Sequence, residues 1–256
     1  MAEITVPFSP GWVHKKDSST FTDAFSDIVN FYLFGTPCDS VSSSGRSMSD
    51  LGWKKDIWKA HDLREFLLSE AGLQTNVTYK KATKLDKMSE TITAAGLSGN
   101  FHTRRTLNRV AFYSDGSRVD ILTILYYIRC ALAHGRFESY NYDGQMVYVL
   151  EAIKKKPSTN EYFVRARMIL SEATLLKWKD ILTKGPQPFE EQKKRFQESV
   201  QDKIVQTIRE NPIRKKNDLT TFLNYEENVI YNQLKELTEK GRTVYDPSKR
   251  IWRIQQ

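Results

Sequence analysis

Arg129 and His134 close the most apolar stretch of the chain, and they offer a fixed cation and a group able to exchange a proton. Histidine is the side chain that exchanges a proton near neutral pH, so it can serve as general base or general acid. Between residues 119 and 133 only Asp120, Thr123 and Arg129 are plainly polar. Apolar residues therefore fall all round the helix, as in an element buried on most sides. Arginine is rarely buried without a partner, so Arg129 calls for one of two explanations. It pairs with a carboxylate while Gly135 ends the helix in a left-handed conformation, or it is held for a ligand.

The spacing has a geometric consequence. Residues five apart on a regular helix are rotated by about 140° and separated by roughly 7.5 Å along the axis. Arg129 and His134 cannot reach one phosphate from a single regular helix. Either the helix loosens before Gly135, or two copies of the chain face each other and share a cleft.

Other chemistry is sparse. Cys130 has no second His or acid linked to it by sequence and reads as a small apolar filler. His14, His61 and His102 are scattered without metal-ligand spacing, and Cys38 and Cys130 do not make a zinc site. There is no P-loop, dinucleotide fingerprint or nucleophile elbow. No metal and no cofactor is expected.

The string Ile128-Arg129-Cys130-Ala131-Leu132-Ala133-His134-Gly135 resembles the terminal helix of the HEPN superfamily, helical bundles many of which cleave RNA. Their signature is an Arg, four to six residues, a His and often a glycine. The resemblance covers residues 118–136. Cys130 departs from it, because the residue after the arginine is usually polar. It implies a metal-independent endoribonuclease of the kind used in toxin or anti-phage defence, with Arg129 and His134 catalytic in a dimeric composite site. RNA is the implied substrate. Arg136 is a candidate RNA contact, as are Arg104, Arg105 and Arg109 on a predicted preceding helix. For these four a solvated or structural role is the alternative.

The elements that must position the pair follow from periodicity. Helices are predicted over 20–33, 51–71, 84–94 and 102–113, with a serine-rich loop over 40–49. After Gly135 the pattern changes to period two. Strands are predicted over 137–142, 145–150 and 162–170, with a tight turn at Asp143-Gly144. Ser171 is expected to cap a helix reaching about residue 183. The expected fold is mainly α with small β elements: a HEPN-like helical bundle over 1–184, with a β-hairpin extension over about 136–170. A boundary is read at Lys184-Gly185-Pro186-Gln187-Pro188.

Residues 187–256 are read as a second domain of three predicted helices followed by a two-stranded hairpin, and about 201–256 of it resemble a winged helix-turn-helix. Its presumed recognition helix carries Glu226, Glu227, Glu236 and Glu239 against Lys235 and Lys240, which is poor equipment for a major groove. Arg214, Lys215 and Lys216, with Lys249, Arg250 and Arg253 in the wing, could grip a DNA backbone. The alternative to a ribonuclease is thus a non-catalytic regulator or assembly subunit that contacts DNA or protein through this unit. A homodimer is expected, and a protein partner such as an antitoxin is open.

The chain carries 39 Lys and Arg against 31 Asp and Glu, a net charge of +8, compatible with nucleic-acid partners. No apolar run is long enough for a transmembrane helix, and the first residues lack a secretory pattern, so no membrane association is expected. Two distant cysteines suit a reduced, cytoplasmic protein.

Overall fold

Five strands form one mixed sheet in the order β1-β2-β5-β4-β3. The computed structural model describes residues 12–13, 21–38, 45–54, 61–99, 107–155, 162–225 and 227–255. Within these, α1 (Ala24–Val29) runs into a wider π turn (Asn30–Gly35), and α2 spans His61–Glu70. Strand β1 (Tyr79–Ala82), helix α3 (Met88–Ala94) and strand β2 (Arg109–Tyr113) follow, with β1 and β2 parallel. Then come α4 (Asp120–Ala133), β3 (Phe137–Tyr142), β4 (Gln145–Lys155) and β5 (Tyr162–Ser171).

Strands β3, β4 and β5 are consecutive and antiparallel. Asp143 and Gly144 join β3 to β4 with φ of 51° and 76°, the paired left-handed conformations of a tight hairpin turn. Alternation along the strands then sends residues to two cores. Val110, Phe112, Tyr148, Leu150, Met168 and Leu170 pack toward α4 and the following helix, α5 (Glu172–Lys184). Ala111, Val147, Val149 and Ile169 pack toward Met88 and Ile92 of α3.

The expected mainly α bundle with a β extension is therefore corrected: this is an α/β fold, whose sheet is the central layer. The reason lies in β1 and β2. Residues 109–113 (Arg-Val-Ala-Phe-Tyr) fall inside the predicted helix 102–113, yet they form a strand with Val110, Ala111 and Phe112 buried. A short apolar run has no period to separate a doubly covered strand from a buried helix. Once β2 pairs with β5, the expected hairpin extension becomes part of one continuous sheet. Residues 102–106 of that predicted helix lie outside the described residues, as do 55–60 of the predicted helix 51–71 and 40–44 of the serine-rich loop.

Helix α4 is held at both ends. Asp120 in its first turn takes Nη1 of Arg64 at 3.2 Å and Nζ of Lys81 at 2.8 Å, linking it to α2 and β1. At the other end Gly135, with φ of 60°, lets Arg136 donate its N–H to the carbonyl of Ala131 at 2.8 Å. That contact satisfies one of the last free carbonyls, and the chain turns directly into β3. Beneath it Glu151 and Arg167 form a buried ion pair at 3.0 Å.

At Gly185 the chain breaks and re-enters a long helix, α6 (Pro186–Glu210). Its first turns bury Phe189 against Trp53 and Phe66, with ring centroids 5.1 and 5.5 Å away. Its later turns join α7 (Lys216–Leu223), α8 (Glu227–Glu239) and the hairpin β6 (Thr243–Asp246)–β7 (Ile251–Ile254). These share a third core built on Ile204, Ile208, Leu219, Ile230 and Leu234. Among the described residues no helix is long and apolar enough to cross a membrane.

Candidate functional site

Helix α4 is regular through Ala133, so it does not loosen between Arg129 and His134. His134 is its last cap, with φ −100° and ψ 8°, and its N–H bonds to the carbonyl of Cys130. Most of the helix is buried, including Ile121, Ile124, Leu125, Ile128 and Ala131. One stripe is not: Leu122, Tyr126, Arg129 and Cys130 are half-buried, while Ala133 and His134 are exposed. On a regular helix Tyr126 and Ala133 lie near the centre of this stripe, with Arg129 at one edge and His134 at the other, about 140° apart.

The environment of Arg129 separates the two explanations left open by its position. It makes no ion pair with any carboxylate among the described residues, and its Nε is buried without a hydrogen-bond partner. An unpaired buried donor costs roughly 1–3 kcal/mol, and for Arg129 no ion pair elsewhere on the guanidinium offsets that cost among the described residues. His134 likewise has no side-chain hydrogen bond or ion pair among the described residues. Arg129 is half-buried and His134 exposed, and neither side chain is engaged in a hydrogen bond or ion pair among the described residues.

Cys130 is no nucleophile here. Burial pushes its thiol above the usual range, outweighing a hydrogen bond with the Tyr126 hydroxyl and the positive charges of Arg129, Arg165 and Arg118. The stronger effect keeps it a neutral thiol at physiological pH.

The other sequence candidates divide. Arg136 is half-buried with Nη1 at 3.8 Å from Glu151, so its charge is already partly answered. Arg109 lies in strand β2, and its Nη1 donates to the carbonyl of Ala95 at 2.8 Å. It is a structural tie rather than a member of a basic helix face. Arg104 and Arg105 lie outside the described residues. In the C-terminal unit, Trp252 N–H donates to the Ile213 carbonyl at 2.8 Å, which brings residues 214–216 beside β7. Arg214, Lys215, Lys249 and Arg250 are exposed there. Lys216 covers the Tyr231 ring at 4.2 Å, and Arg253 pairs with Asp246 at 3.2 Å.

Sequence reasoning missed Arg118 and Arg165. Both pack on tyrosines of α4, one from the loop before the helix and one from β5. Only strand register reveals the second: Ala152 pairs with Ala166 and Ile153 with Val164, leaving Arg165 as the extra residue of a bulge. Among the described residues no group of three His, Cys, Asp or Glu side chains could hold a metal ion.

Comparison with models of known protein families, with curated proteins and with solved structures finds no match for this chain.

Proposed function

We propose that this protein is a cytoplasmic, metal-independent endoribonuclease that uses Arg129 and His134 from two copies of the chain. The supporting observation is the unpartnered state of both side chains on the one accessible stripe of an otherwise buried helix. The reading draws on the Arg-x4-His resemblance to HEPN ribonucleases and does not need their bundle architecture. The chain's two cysteines, Cys38 and Cys130, are far apart in sequence, which suits a reducing compartment.

In the reaction, the 2′-oxygen attacks the adjacent phosphorus while one His134 takes the 2′-hydroxyl proton. The bond to the 5′-oxygen breaks, and the second copy's His134 delivers a proton to that leaving oxygen. The products are a 2′,3′-cyclic phosphate and a 5′-hydroxyl. Arg129 neutralises the charge on the non-bridging oxygens as it grows. One straight helix cannot turn both groups onto one phosphate, which is why a second copy is required.

The test is cleavage of RNA by purified protein in EDTA, followed by end-group analysis. Loss of cleavage in His134→Ala with unchanged melting supports the assignment. Products ending in 3′-hydroxyl and 5′-phosphate would rule out the 2′-oxygen mechanism.

A second reading rests on the C-terminal unit, where residues 214–216 and the hairpin bring exposed cations together. It makes the chain a non-catalytic DNA-backbone binder. Its affinity for duplex DNA would then fall steeply with salt and depend on Arg214 and Arg250.

A further inference from the structure

The α4 stripe continues into a cluster of aromatic rings and arginines that the cleavage chemistry does not use. The guanidinium of Arg118 lies 4.9 Å from the Tyr126 ring centre. That of Arg165 lies 5.2 Å from Tyr113 and 5.6 Å from Tyr127. Tyr126 and Tyr127 are themselves 5.4 Å apart, and Arg118, Arg129 and Arg165 all act on the Cys130 thiol between them. None of the three arginines forms an ion pair among the described residues, and Nε of Arg165, like that of Arg129, is buried without a hydrogen-bond partner. Asp115 acts on Arg165, but its carboxylate is held chiefly by Ser117.

Three like charges gathered with one acid are unfavourable unless an anion joins them. The β5 bulge makes the gathering specific. Regular alternation from Ala166 would turn Arg165 toward the α3 side of the sheet, whereas the extra residue places it against Tyr127 of α4. Guanidinium planes bind phosphate oxygens bidentately, and both they and tyrosine rings offer flat faces to unstacked bases.

We propose that Arg118 and Arg165, with Tyr126, form a binding subsite for single-stranded RNA next to the Arg129/His134 centre. Phosphates contact the guanidinium groups, and a base lies on the Tyr126–Arg118 surface. From Tyr126 to His134 the helix advances about 12 Å, the length of roughly three or four stacked nucleotides. The subsite would hold the strand flanking the cleaved bond. In placing that bond it rests on the ribonuclease reading, but its ability to bind RNA does not.

The experiment measures binding of the full chain to a fluorescent single-stranded oligonucleotide carrying 2′-O-methyl groups, which cannot be cleaved by 2′-oxygen attack. Arg118→Gln and Arg165→Gln should each weaken binding about three- to tenfold and lower the slope of log affinity against log salt by about 0.7. Lys184→Gln, an exposed cation paired to Asp180, should change neither. Arg118 is exposed, so its variant tests the subsite even if Arg165→Gln impairs folding. Unchanged affinity and slope in Arg118→Gln would overturn the subsite. So would displacement of the oligonucleotide by inorganic phosphate at fixed ionic strength, which would assign the cluster to a free anion. RNA binding that depends on Arg118 in a protein that never cleaves would retain the subsite and remove the ribonuclease reading. Cleavage that depends on His134 with binding indifferent to Arg118 would do the reverse.

Discussion

Arg129 and His134 differ from Arg109 and Arg136, the other described cationic candidates near α4, in having no side-chain partner among the described residues. Arg136 leans on Glu151, and Arg109 ties a carbonyl. If both serve one phosphate, Arg129→Ala and His134→Ala should each remove most cleavage, and the double variant should be little worse than either. Additive losses would mean independent roles. Cys130 gives a second prediction at this scale. Its thiol is raised by burial, so iodoacetamide at neutral pH should modify the folded protein more slowly than the denatured chain. The sign for stability follows: the neutral thiol contributes fully below the unfolded pKa, and that contribution is lost as pH rises through the higher folded value. Rapid alkylation of the native protein would show that Cys130 is activated after all.

The elements around α4 differ in how far they could be read from the chain. The helix itself was legible because fourteen residues of near-continuous apolarity end in a glycine able to adopt φ of 60°. Gly135→Ala should cost about 1–2 kcal/mol, since a Cβ is disfavoured in that left-handed conformation. Chemical denaturation would check it. Strands β3, β4 and β5 were legible from alternation and the Asp143-Gly144 turn. Strand β2 was not, because five residues are too few to show a period. The ion pair beneath the site was equally hidden: Glu151 and Arg167 are neighbours only through the β4–β5 register. Glu151→Ala leaves Arg167 charged in a buried position and should destabilise the fold by about 3–5 kcal/mol, read from the urea midpoint. Replacing both residues with methionine should cost less than that single change.

At the scale of the whole molecule, α6 serves two cores. Phe189 fills the first with Trp53 and Phe66, and Ile204 and Ile208 fill the third. Phe189→Ala should therefore cost about 3–5 kcal/mol, with the loss visible in melting of the full chain. The composite site makes a separate prediction about assembly. Mixing wild-type chains with an excess of His134→Ala chains should lower cleavage by more than simple dilution, because a mixed pair holds one histidine where the reaction uses two. Activity that follows the number of wild-type chains alone, in proteins shown to exchange subunits, would exclude a shared centre.

Local pattern alone determined that helix α4 exists, where it ends, and that its arginine and histidine cannot meet on one regular helix. Those conclusions need only the 3.6-residue period and the conformational freedom of glycine. Tertiary structure decided the class of fold, because the pairing of β2 with β5 joins segments more than fifty residues apart. It also decided that Arg129 has no carboxylate partner among the described residues and that Arg118 and Arg165 pack on tyrosines of the same helix. Whether a charge is answered depends on which distant residues the folded chain brings within a few ångströms, and one-dimensional spacing carries no record of that.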